Sequence, residues 1–159
     1  MLRALFPLAL FLTAGQCGTP SDAGDGGTSS DGGAPTITCQ NDSRVAVYAP
    51  GMSATTGGRT FVLVSSDPTP PARGVNNWTV RLLDSAGNAL KDQAFDVTPF
   101  MPDHGHGSTV KATATANGDG TYAVGPLSFF MPGVWRVTFS VLQDGGTSQD
   151  AAFFFCVAG

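Results

Sequence analysis

The chain has 159 residues, of which only 13% are charged; 12 Asp and Glu stand against 8 Lys and Arg, for a net charge of −4. This balance, with no Lys/Arg cluster, excludes the electrostatic footprint of a nucleic-acid-binding protein. Gly and Pro are plentiful (21 and 11) and no long stretch has helical periodicity, which predicts short strands joined by turns.

At the N-terminus, Met1-Leu2-Arg3 is a short basic start and the apolar run from Ala4 to Leu12 is too short to span a bilayer. Small residues follow at Thr13-Ala14-Gly15, then Gln16-Cys17. Residues 1–16 therefore read as an export signal. A cysteine directly after such a segment resembles the lipobox of bacterial lipoproteins, in which Cys17 becomes the lipidated first residue and ties the chain to a membrane. Gln16 stands where that pattern has Gly, Ala or Ser, so cleavage after Gly15, releasing a soluble periplasmic or secreted protein, is the alternative. Cysteine arithmetic favours lipidation. Three cysteines in an oxidising compartment leave one over, and removing Cys17 leaves Cys39 and Cys156 to form a disulfide. Residues 17–38 read as a flexible tether: Ser21 to Gly33 offers only Gly, Ser, Thr, Asp and one Ala, with a random-coil reach of roughly 25 Å. One domain remains, residues 39–159, about 120 residues long and large enough for a two-layer core.

Within that domain eight strands are expected. Arg44 to Ala49 alternates through Val45, Val47 and Ala49; Arg59 to Ser66 is apolar on both faces, as a central strand is. Asn76 to Asp84 places Trp78, Val80 and Leu82 inward, and Ser85 to Asn88 forms a turn. Leu90 to Thr98 carries Phe95 and Val97 on one face; Thr109 to Ala116 alternates through Val110, Ala112, Ala114 and Ala116. After the tight-turn signal Asn117-Gly118-Asp119-Gly120, Thr121 to Phe129 carries Tyr122 and Val124, then Leu127 and Phe129. The parity slips at Gly125-Pro126, where a bulge is expected. Val134 to Leu142 alternates through Trp135, Val137, Phe139 and Val141, and Asp150 to Val157 closes the chain. Strands spaced by turns with no helix predict an all-β, immunoglobulin-like antiparallel sandwich. Since successive strands reverse, Met101, Met131, Cys39 and Cys156 should all arrive at the same end.

Polar chemistry concentrates in Phe100-Met101-Pro102-Asp103-His104-Gly105-His106-Gly107, which holds both histidines of the chain, with a partial echo in Phe130-Met131-Pro132-Gly133. Met101 and Met131 offer soft, uncharged thioethers; His104 and His106 offer imidazole nitrogens. That mixture suits copper, Cu(I) above all, over harder ions, and Pro102 and Pro132 stiffen the chain after each methionine. Zinc on His104, His106 and a carboxylate lacks a clear third protein ligand. Each residue also fits a plain structural role: Met131 as core filler, the histidines as turn residues bonded to loop carbonyls, Asp103 as a turn cap. Nothing marks an enzyme. No Ser/His/Asp arrangement has recognisable context, no carboxylate pair stands out, and no Gly-rich loop opens a helix.

Gly74-Val75-Asn76-Asn77-Trp78, Asp84-Ser85-Ala86-Gly87, Met101 to Gly107, Gly120-Thr121-Tyr122 and Phe130 to Trp135 together resemble the YtkA-like domain, akin to FixH-type proteins, over residues 44–157. The resemblance implies a small exported or membrane-tethered immunoglobulin-like domain, some of whose relatives are linked to copper supply for haem–copper oxidase assembly. It marks Met101, His104, His106 and Met131 as the metal site. The expectation is a lipid-anchored Cu(I) carrier serving a membrane partner; the alternative is a metal-free structural or interaction domain.

Overall fold

The computed structural model describes residues 39–143 and 145–159; the export signal, Cys17 and the tether expected at 17–38 lie outside the described residues. A short 3-10 turn, Cys39–Asn41, precedes nine strands: β1 (Ser53–Thr56), β2 (Arg59–Asp67), β3 (Gly74–Leu83), β4 (Asp96–Met101), β5 (His106–Gly107), β6 (Thr113–Ala116), β7 (Thr121–Phe129), β8 (Gly133–Leu142) and β9 (Ser148–Val157). They form two sheets, ordered β1-β2-β3-β7-β6 and β5-β4-β8-β9, and every pairing is antiparallel. The expected antiparallel sandwich is the observed one.

Alternation explains why the long strands form. Period-two burial puts Trp78, Val80 and Leu82 of β3 and Trp135, Val137, Phe139 and Val141 of β8 inward, where they meet Phe61 and Leu63 of β2 and Phe153 and Phe155 of β9. Phe61 stacks on Phe139 at 4.9 Å between ring centres, and Trp78 meets Phe155 edge-on at 5.3 Å. These inter-sheet aromatic contacts hold the layers together. The bulge expected at Gly125-Pro126 is there: Asn76 pairs with Leu127 but Trp78 pairs with Val124, so β7 carries one extra residue.

Three expected strands differ. Residues 44–49 are not a strand; they run beside β9 with one ladder-like bond, from Ala46 N–H to the Phe154 carbonyl (3.1 Å), and Val47 is 91% exposed rather than inward. Residues 90–95 leave the first sheet and cross to the second, so the strand starts only at Asp96. The crossing backbone finds its partners on a side chain: the Tyr122 hydroxyl donates to the Leu90 carbonyl (2.7 Å) and accepts from Gln93 N–H (3.0 Å). Residues 109–112 cross back, leaving β6 only four residues long and Val110 exposed. Two short strands went unpredicted. One is β1, joined to β2 by the two-residue turn Gly57-Gly58, both at positive φ; the other is β5.

Cys39 and Cys156 are bonded, with Cα atoms 5.2 Å apart and a sequence separation of 117. The bridge ties the entry of the domain to its last strand rather than joining the two sheets. Register brings the ends of β4, β7 and β9 and the starts of β3 and β8 to one rim: Gly74 pairs with Phe129, Phe100 with Arg136, and Gly133 with Val157. Both Met-Pro corners leave the sandwich at that rim.

Candidate metal site

The local geometry starts from a hairpin. Met101 of β4 and His106 of β5 are directly opposite across an antiparallel pair, closing a four-residue loop, Pro102 to Gly105. The Met101 carbonyl accepts from His104 N–H (3.3 Å) and Gly105 N–H (2.9 Å). Gly105 sits at φ +70° with open space around it, so its role is conformational and not steric. Gly105→Ala should therefore cost about 1–2 kcal/mol, the left-handed penalty alone, read as a lower urea midpoint with unchanged slope. Gly107 is needed for another reason: a Cβ there would lie 2.9 Å from the Pro99 carbonyl oxygen.

Opposed residues of an antiparallel pair point to the same face, with Cβ atoms about 5 Å apart. Met101 is fully buried and follows Val97 and Pro99 on the inner face of β4, so the His106 imidazole is also on the inner face. The second corner meets this hairpin. A Cβ on Gly133 would stand 2.7 Å from Met101 Cε. The Phe130 ring stacks on His106 at 5.4 Å and 25° and meets Trp135 in a T-shaped contact at 5.5 Å and 80°. Trp135 Nε1 donates to the Met131 carbonyl at 2.9 Å, which fixes the corner that precedes β8.

The fold thus places all four expected residues at one rim, at graded depths. Met101 is buried, His106 half-buried and His104 exposed. Met131 is half-buried and packs against the core, as a filler methionine does. The His104 and His106 rings are 5.6 Å apart and nearly perpendicular (87°). Two imidazoles bound to one ion at about 2 Å would have ring centres roughly 5–6 Å apart, so this spacing needs little adjustment. His106 Nδ1 is closed off from solvent and has no hydrogen-bond partner among the described residues. A buried polar nitrogen left unpaired calls for a partner, here a water or a cation; Trp78 Nε1 and Arg136 Nε are unpaired in the same way among the described residues.

Asp103 is otherwise engaged. Arg44 Nη1 and Nη2 donate to its two carboxylate oxygens at 2.7 Å each, while Arg44 Nε and Nη2 also reach Asp42 (2.9 and 2.6 Å). The Arg44 hydrogen bonds hold the Asp103 carboxyl below the usual carboxylate range and lower Asp42 to about 2, while the two carboxylates push Arg44 up. The clamp joins the segment after Cys39 to the His104 loop, so Asp103 neither caps the turn nor stands free for zinc. No group of three or more His, Cys, Asp or Glu side chains converges among the described residues. A metal held at this rim would depend on thioether and imidazole together.

Sequence reasoning passed over Arg44, Phe130 and Asn76. The signal for Phe130 was available, since it adjoins Met131 and precedes Trp135 by five residues. Arg44 joins Asp103 across 59 residues and had no local signal. Asn76 is wholly buried: its side-chain amide donates to the Ala72 and Gly74 carbonyls (2.7 and 3.1 Å) and accepts from Ala72 N–H (3.0 Å). It holds the loop whose Arg73 Nε donates to the Phe130 carbonyl at 3.1 Å.

No curated protein and no solved structure matches the chain. The family model described as YtkA-like matches residues 54–140, more than half of the chain, and spans both Met-Pro corners. The chain belongs to the YtkA-like family.

Proposed function

We propose that the protein is an extracytoplasmic copper-binding carrier that takes Cu(I) at the rim formed by Met101, His104, His106 and Met131. It would be lipid-anchored through Cys17 and pass the ion to a membrane partner such as a haem–copper oxidase. One observation carries the reading: a buried thioether and a buried, unpartnered imidazole nitrogen belong to directly opposed residues of one hairpin. Soft thioether and imidazole donors suit Cu(I). The Cys39–Cys156 disulfide agrees with an oxidising, exported location. The gradation of exposure suits a carrier, because His104 at the surface can be displaced first by an acceptor's ligand while Met101 still holds the ion from inside. The metal-free alternative pairs a core-packed Met131 with imidazoles bonded to loop carbonyls; Met131 does pack against the core, but among the described residues His106 Nδ1 has no such partner.

Titration of the full chain with Cu(I) against a chromogenic chelator tests this. One equivalent should bind. His106→Ala and Met101→Leu should each weaken binding at least about tenfold, the equivalent of 1.4 kcal/mol, with the far-ultraviolet dichroism unchanged. His104→Ala should weaken it less and speed release to the chelator. Unchanged affinity in the His106→Ala and His104→Ala variants would reject the site.

A further inference from the structure

Phe130 is an anomaly by burial. A phenyl ring 41% exposed beside a well-filled core is not placed there to leave water. Its neighbours hold it firmly all the same: its carbonyl accepts from Arg73 Nε, and its ring makes a T-shaped contact with Trp135, whose indole N–H is fixed on the next carbonyl, that of Met131. The face so fixed is the one that stacks on His106 at 25° between planes. With its plane fixed, the His106 ring can present only an edge to the interior. That edge carries Nδ1, while the exposed part of this half-buried ring lies away from it.

We propose that Phe130 is the positioning residue of the rim site: by stacking on His106 it holds the imidazole with Nδ1 turned into the protein, so that a soft monovalent cation is taken through Nδ1. The second clause rests on the copper-carrier reading; the first does not. A buried N–H without an acceptor is rarer and costlier than a buried lone pair without a donor, so the neutral ring keeps its proton on Nε2. The ligating nitrogen is then already bare, and binding the ion there displaces no proton from the ring. Without Phe130 the ring is free to turn, and both tautomers and both nitrogens come into play.

Nitrogen-15 histidine spectra of the full chain at neutral pH, free and with one equivalent of Ag(I) as a closed-shell probe, test both clauses. The free protein should show His106 as the Nε2–H tautomer alone, and Ag(I) should couple to His106 Nδ1. Phe130→Ala should show a mixture of tautomers and of coupled nitrogens and bind Ag(I) about tenfold more weakly, whereas Phe130→Tyr, which keeps the stacking face, should match the wild type. A His106 tautomer and silver coupling unchanged in Phe130→Ala would overturn the proposal, as would coupling through Nε2 in the wild type. Should the wild type bind neither Ag(I) nor Cu(I), the copper reading and the second clause fall. The tautomer of the free protein then decides the first clause separately.

Discussion

Replacing Cys39 and Cys156 together by alanine should lower the unfolding free energy by about 4–5 kcal/mol on the chain-entropy account of so long a loop. The bridge spans 117 residues, nearly the whole domain, so the unlinked denatured chain gains close to the largest entropy that one cross-link can withhold. Domains of this size have only about 5–15 kcal/mol of stability in total, so the loss is a large share of it and the variant should melt at a clearly lower temperature. Urea unfolding of the oxidised wild type and the double variant measures the loss, and a difference under about 1 kcal/mol would show that the bridge is incidental. The loss should also reach the rim. Cys39 fixes the start of the segment from which Arg44 grips Asp103, so amide exchange at His104 and Gly105 should rise in the double variant even in the absence of urea.

Asn76→Ala should cost about 3 kcal/mol, which is large for the removal of one polar side chain. The reason lies in what remains. The Ala72 N–H and carbonyl and the Gly74 carbonyl each lose a part-buried hydrogen bond, and an orphaned group costs about 1–3 kcal/mol less whatever water can recover. Asn76→Asp tests the two donors separately from the volume and the acceptor. It keeps the volume and the acceptor but loses both donors and buries a charge, so it should be at least as damaging as alanine. If aspartate were tolerated better than alanine, the volume and the acceptor for Ala72 N–H, rather than the two donors, would be what position 76 supplies. Both variants loosen the 72–74 loop and with it the Arg73 bond to the Phe130 carbonyl, so on the copper proposal weaker Cu(I) binding should accompany the lower stability.

The residues that misled the strand assignment share one physical feature. Val45, Val47, Phe95 and Val110 sit in stretches that alternate as well as β8 does, yet 44–49, 90–95 and 109–112 are not strands. Alternation reports that a segment could lie on a half-buried surface; it cannot report whether a second strand lies alongside to take its hydrogen bonds. Two of these stretches carry the chain from one sheet to the other, where no partner runs parallel to them. Residues 90–95 persist there because Tyr122, far along the chain, meets the backbone with its hydroxyl. The two missed strands, β1 and β5, are four and two residues long, too short to show a period.

The sandwich class, the long strands, the bulge at Gly125-Pro126 and the pairing of Cys39 with Cys156 could all be derived from residue order. Each follows from a local pattern, from counting, or from the rule that adjacent strands reverse. That same rule brought Met101, His104, His106 and Met131 to one rim, since chain direction alone sets the end at which a loop emerges. The depth of each side chain needed the folded chain. Met101 is buried because an inner-face position on β4 lies under Gly133, and His106 is turned inward because it faces Met101 across a two-residue strand and lies against Phe130. Those contacts join residues five, twenty-four and thirty-two positions apart; which atoms touch over such separations is set by how the two sheets pack, and packing is a property of the whole core.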